Sequence, residues 1–273
     1  ARLMGYFFAI SDYPNALKCA QLCIEAGERA GMLLQSSLAY GILAIAAIAT
    51  KDYENSVSLA GRYLKLCYDN GIYEYFRLRK AYDSVLEFAY DNGIEPEITR
   101  HLMEFAGYKP KKAYIETLGA FTVYQDKDKQ KLLKFRTKKE RELLAFLLDV
   151  GDQGATKEQI YNAIWWESDS KNIKNLIAVN LRHLKNDLEC AGLGESIICR
   201  ENRYFICRGE IACDIDLFER IYEEFKLHNT KVEAKNLLSL YKGEYLSDFE
   251  ALWATAKRIR YNEIYEEAEK YCL

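Results

Sequence analysis

The sequence predicts a mainly α-helical chain of several domains: helical repeats over residues 1–110, an α+β module over 111–209, and a helical segment over 210–273. Three observations carry this reading. The apolar residues follow a helical spacing up to about residue 106, alternate with period two from Tyr114, and become helical again after Asp214. A short motif recurs at an offset of 40 residues in the first block, as Asp12-Tyr13-Pro14-Asn15-Ala16-Leu17 and Asp52-Tyr53-Glu54-Asn55-Ser56-Val57. The chain has 273 residues, more than one typical domain, and at 49% hydrophobic with 3 Pro it can bury real cores.

Each copy of the repeated motif opens an amphipathic stretch. The first carries Ala16, Ala20, Cys23 and Ile24, the second Val57, Ala60, Leu64 and Cys67, and the stretches end near Gly27 and Gly71. A second helix is expected between them, over 33–50, and a third round over 75–90 is followed by Asp91-Asn92-Gly93, echoing Asp69-Asn70-Gly71. Helix pairs of fixed period with small residues at their crossings resemble tetratricopeptide-like repeats. An irregular helical bundle is the competing reading.

A boundary falls at Gly107-Tyr108-Lys109-Pro110, because Pro110 biases Lys109 away from helix. The stretch from Tyr114 to Val123 then alternates like a strand, and a basic hairpin-like segment follows over 126–135. Three helices come next. Thr137-Lys138-Lys139-Glu140 has the form of a capping box, opening a helix with Leu143, Leu144, Phe146, Leu147 and Leu148. Thr156-Lys157-Glu158-Gln159 is a second such box, opening a short helix through Trp165. Asp169 or Ser170 can cap the third, which is expected to run to about Ala191 and stop before Gly192. Two short strands, 196–200 and 203–207, flank a turn at Glu201-Asn202. Of the tandem Trp165-Trp166, one ring is expected to be buried, Trp165, with the other exposed; both in the core is the alternative.

Charge separates the three blocks. Residues 1–110 carry 11 basic and 13 acidic side chains, residues 111–209 carry 18 and 14, and residues 210–273 carry 9 and 14. The middle block alone is positive, at +4, between blocks of −2 and −5. Such asymmetry points to a polyanionic partner for one module.

Strands, three helices and a closing hairpin describe a winged helix, whose third helix reads DNA while the hairpin touches the backbone. At 100° per residue, Ile173, Ile177, Leu181, Leu184 and Leu188 of the third helix fall on one stripe facing the core. The opposite face collects Lys171, Asn172, Asn175, Val179, Arg182, His183 and Asn186, with no acidic residue until Glu189 at its edge. Asn, Arg and His can pair with base edges, and a β-branched Val179 can meet a thymine methyl. A merely polar face is the competing reading. On the hairpin, Arg200, Arg203 and Tyr204 are the candidate DNA contacts.

These residues also resemble a known family. Val179-Asn180-Leu181-Arg182-His183-Leu184-Lys185-Asn186-Asp187-Leu188 resembles the recognition helix of OmpR-type winged-helix domains, and residues 136–144 and 157–165 resemble that family's first and second helices. Arg203 stands where the family's wing has Gly, and His183 and Lys185 stand where Arg is common. Asp214-Ile215-Asp216-Leu217-Phe218-Glu219, then Leu240-Tyr241-Lys242-Gly243-Glu244-Tyr245-Leu246, Trp253-Ala254 and Arg258-Ile259-Arg260 resemble the bacterial transcriptional activation domain. In SARP-type activators that domain follows an OmpR-type module. The resemblance covers residues 114–273 and implies a bacterial transcriptional regulator that docks on double-stranded DNA and contacts RNA polymerase, with a second protomer on DNA. It also implies that the loop from Trp166 to Ser170 faces the polymerase.

Catalysis finds little support in the sequence. There is no G-x-S-x-G, no G-x-x-x-x-G-K-[ST] and no H-E-x-x-H. The eight Cys lack a C-x-x-C spacing and the three His are isolated, so no metal site or cofactor is expected, and the thiols are read as buried and reduced. No apolar run approaches a membrane span, and no signal peptide is visible. The expected location is the cytoplasm, and the chain, opening on Ala1, reads as a piece of something longer. The rival functional reading is a repeat scaffold whose winged helix mediates protein–protein interaction.

Overall fold

The computed structural model describes residues 13–78, 82–167 and 173–272. Among the described residues it is mainly helical with two small sheets, and the chain divides into two compact units, Ala1–Pro110 and Lys111–Leu273.

The first unit contains α1 (Tyr13–Ala30), α2 (Leu33–Ala49), α3 (Tyr53–Asp69), α4 (Glu74–Leu78), α5 (Asp83–Asp91) and α6 (Pro96–Ala106). Asp52 caps α3 by accepting from the Asn55 amide, the local chemistry that the repeated motif carries. Its counterpart Asp12 lies outside the described residues. Small residues let the helices approach. A Cβ on Gly27 of α1 would meet the Ser36 hydroxyl of α2 at 2.3 Å, and one on Gly41 would meet the rings of Tyr82 and Tyr63 at 2.6 and 3.0 Å. Tyr63, Phe76, Tyr82, Leu86 and Leu102 fill the core. The third round, expected over 75–90, holds α4 and α5 on either side of residues that lie outside the described ones, and α6 follows with Pro96 in its first turn.

The second unit opens with β1 (Ala113–Glu116) and β2 (Thr122–Tyr124), antiparallel, with Ile115 opposite Val123. The stretch read as one strand is therefore a hairpin, turning through Gly119 at φ +116°, a backbone region that glycine adopts freely. After α7 (Lys138–Val150) come β3 (Ala155–Thr156), α8 (Lys157–Ile164) and α9 (Ile173–Glu189). Both capping boxes form: Thr137 accepts from the Glu140 amide and Thr156 from the Gln159 amide, with each N3 side chain returning to the cap. The third helix's expected cap, Asp169 or Ser170, lies outside the described residues. Strands β4 (Ile197–Arg200) and β5 (Arg203–Ile206) pair antiparallel, and β5 also pairs with β3. Their turn places Glu201 and Asn202 at φ +49° and +60°, as a two-residue hairpin needs.

Residues 210–273 do not separate from 111–209. Strand β6 (Ile211–Cys213) runs parallel to β1 across nearly a hundred residues of chain and leads straight into α10 (Asp214–His228). Helices α11 (Lys231–Leu240) and α12 (Thr255–Cys272) follow. One core runs from Ala113 through Leu143, Leu184 and Phe218 to Tyr261 and Ala268. The domain boundary expected at 209/210 is corrected accordingly. Asp214 explains why. Its buried carboxylate accepts from the Thr117 and Leu118 amides at 2.8–2.9 Å and from the Thr117 hydroxyl at 2.8 Å, so α10 begins by closing the β1–β2 turn. The Phe121 amide likewise donates to Asp248, and Arg258 donates to the carbonyls of Tyr245, Leu246 and Phe249 at 2.6–3.0 Å.

Candidate nucleic-acid interface

Helix α9 owes its orientation to its apolar stripe. Ile177, Leu181, Leu184 and Leu188 are buried against α7 and α8, while Ile173, placed on the same stripe by periodicity, is 36% exposed at the first position of the helix. The opposite face is therefore presented outward. Asn175, Arg182 and Asn186 are exposed on it, and Val179 at its centre is half-buried, not exposed as the helical layout suggests. Lys171 and Asn172 lie outside the described residues. Lys174 is exposed in the first turn, but at 100° per residue it lies more than a third of a turn from Val179, beside the apolar stripe and away from the outward face.

His183 is not a free member of that face. Its Nδ1 lies 3.0 Å from Glu140 Oε1, and the carboxylate is fully buried while the imidazole is one-quarter exposed. The carboxylate partner that nearby sequence does not supply comes from α7, 43 residues away. Glu140 thus has two roles. Oε2 accepts the Thr137 amide at 2.7 Å and its hydroxyl at 3.0 Å, completing the cap of α7, and Oε1 holds the third helix.

The β4–β5 hairpin separates its candidates in the same way. Arg200 is exposed at the end of β4. Arg203, directly opposite, turns back: Nη1 donates to the carbonyls of Gln153 and Gly154 at 3.3 and 3.1 Å and to the Gln159 side chain at 3.3 Å. It pins the hairpin to the start of α8, so its Nη1 is engaged within the protein. Tyr204 is half-buried and packs on the core.

Around this surface, Trp165 is buried at 9% exposure and Trp166 is 68% exposed, excluding the alternative of both rings in the core. Trp166 borders a groove of about 760 Å³ whose walls include Phe249, Leu252 and Trp253; residues 168–170 of the adjoining loop lie outside the described residues. The thiols are not uniformly buried. Cys67 and Cys213 are, burial raising the Cys67 thiol to about 12, but Cys190, Cys199 and Cys207 are exposed. Among the described residues no group of three or more His, Cys, Asp or Glu is placed to hold a metal ion, and no helix is long and apolar enough to cross a membrane.

Comparison with protein-family models gives no match, and comparison with curated proteins gives none. Among solved structures, this chain is similar to Mycobacterium tuberculosis EmbR in complex with low affinity phosphopeptide, at 16% identity and a TM-score of 0.48. The match covers 58% of this chain and 44% of that one, so this chain spans less than half the length of its neighbour.

Proposed function

We propose that the second unit is an OmpR-type winged helix fused to the start of a bacterial transcriptional activation domain, and that it binds double-stranded DNA sequence-specifically as part of a SARP-type cytoplasmic regulator. In this reading α9 enters the major groove, the β4–β5 wing runs beside the backbone, and α10–α12 with the first unit's tetratricopeptide-like helices engage proteins. RNA polymerase and a second protomer on DNA are the partners proposed, and no catalytic role is assigned. The observation that carries the reading is the outward face of α9. Asn175, Arg182 and Asn186 stand exposed there around Val179, and Arg200 is exposed on the hairpin. An ordinary solvated helix mixes both signs of charge, whereas this face has amide and cationic groups suited to base edges and phosphates.

The test is the affinity of the chain for duplex DNA between about 50 and 200 mM salt. Displacement of counterions by several phosphate contacts gives a steep linear fall of log affinity with log salt. A flat dependence, or no binding at low salt, favours the protein-interaction reading. The exposed Trp166 and the groove beside it give that second reading a specific place.

A further inference from the structure

Glu140 and His183 do more than join two helices. An ionised carboxylate can only accept hydrogen bonds, so with Glu140 in that form the contact at 3.0 Å needs the hydrogen on His183 Nδ1. In the neutral ring the other nitrogen, Nε2, is then an acceptor. Glu140 is fully buried and both of its oxygens are engaged on protein donors, while one quarter of the His183 side chain is exposed. On the helical layout His183 stands next to the exposed Asn186 at the flank of the outward face.

We infer that Glu140 is a positioning residue that fixes the tautomer of His183, and that His183 Nε2 reads a hydrogen-bond donor on the DNA, the exocyclic amine of adenine or cytosine in the major groove. The inference rests on the DNA-binding reading above and deepens it. The face of α9 otherwise offers mainly donors and amides; a fixed acceptor at its flank distinguishes an amine-bearing edge from the carbonyl edges of thymine and guanine. A guanidinium at position 183 could not do this, because it has no acceptor. Glu140 is held in place independently of DNA by its capping bonds to Thr137, so the tautomer is set before binding.

Three variants separate this role from simple helix packing. His183→Asn keeps an N–H where Nδ1 stood and deletes Nε2. Glu140→Gln keeps a carbonyl oxygen for the cap and turns an amide N–H toward the ring, which drives the proton to Nε2 and makes it a donor. His183→Ala removes both. Each chain is checked for folding by circular dichroism, its ring tautomer is read from imidazole ¹⁵N shifts, and its affinity is measured over duplexes selected by the parent chain and changed one base pair at a time. The parent should show the Nδ1–H form. His183→Asn and His183→Ala should lose roughly threefold to tenfold preference at one base pair while binding other pairs as before. Glu140→Gln should reverse the preference at that pair toward a thymine or guanine edge. An unchanged preference in His183→Asn, a loss spread over all duplexes, or a proton on Nε2 in the parent, as the Nε2–H tautomer or as the imidazolium, overturns the inference. If the parent itself binds no duplex, the ring shifts still decide the tautomer, and it is the DNA-binding reading that fails.

Discussion

At the scale of single residues, the structure divides side chains that look alike in the sequence. Arg200 and Arg203 are both wing arginines facing across one register position, yet Arg203 satisfies two carbonyls and Gln159 while Arg200 is exposed. Arg203→Ala should therefore lower the thermal midpoint and leave the salt slope of DNA binding unchanged. Arg200→Ala should leave stability unchanged and reduce that slope by about one. Parallel melting curves and salt titrations check both halves. Glu116 gives a pH-dependent case. Burial raises its pKa, but Lys129 at 2.8 Å and Lys242 at 2.6 Å outweigh burial and hold it below the usual value of 4.5. Because the folded value is the lower one, its contribution is fully present above pH 4.5 and is lost as pH falls through the folded value. Urea melts from pH 6 to 3 should show a shallower acid loss in Glu116→Gln than in the parent.

At the scale of elements, what is local in physics was legible and what is long-range was not. The two capping boxes could be read from Thr137–Glu140 and Thr156–Gln159 because donor and acceptor sit three residues apart. The β4–β5 hairpin could be read from its short apolar strands, and the helical period found the exposure of Asn175, Arg182 and Asn186. The splitting of residues 114–123 into β1 and β2 escaped, although Gly119 was a signal, because period-two alternation continues through the turn. The ties of His183 to Glu140, of Arg203 to Gln153 and Gly154, and of Asp214 to Thr117 span 43 to 97 residues, and no spacing rule reports them. Asp214 is where such a tie matters most. Asp214→Ala leaves two buried amides and a hydroxyl without their acceptor, so it should cost roughly 3 kcal/mol in chemical denaturation. Thr156→Ala, which removes one partly exposed cap, should cost only about 1 kcal/mol.

At the scale of the whole molecule, the chain is two units, not three. Strand β6, Asp214 and the carbonyl contacts of Arg258 bind the C-terminal helices into the core that α7 and α9 share. A chain cut to residues 111–273 should fold and keep its affinity for DNA, since the first unit is helical and carries net charge −2. A chain cut to 111–209 should not fold cooperatively, because it strips Phe218, Tyr245 and Tyr261 from the core and leaves Thr117 without Asp214. Calorimetry of the two fragments decides this: one sharp transition for the longer, none for the shorter. The central claim, that the outward face of α9 specifies a DNA sequence, is tested most directly by selecting duplexes from a random pool with the full chain and titrating Asn175→Ala and Val179→Ala against selected and scrambled duplexes. The account predicts a loss of roughly 1–3 kcal/mol on the selected duplex with scrambled-duplex binding nearly unchanged. Equal losses on both duplexes, or none on either, would contradict it.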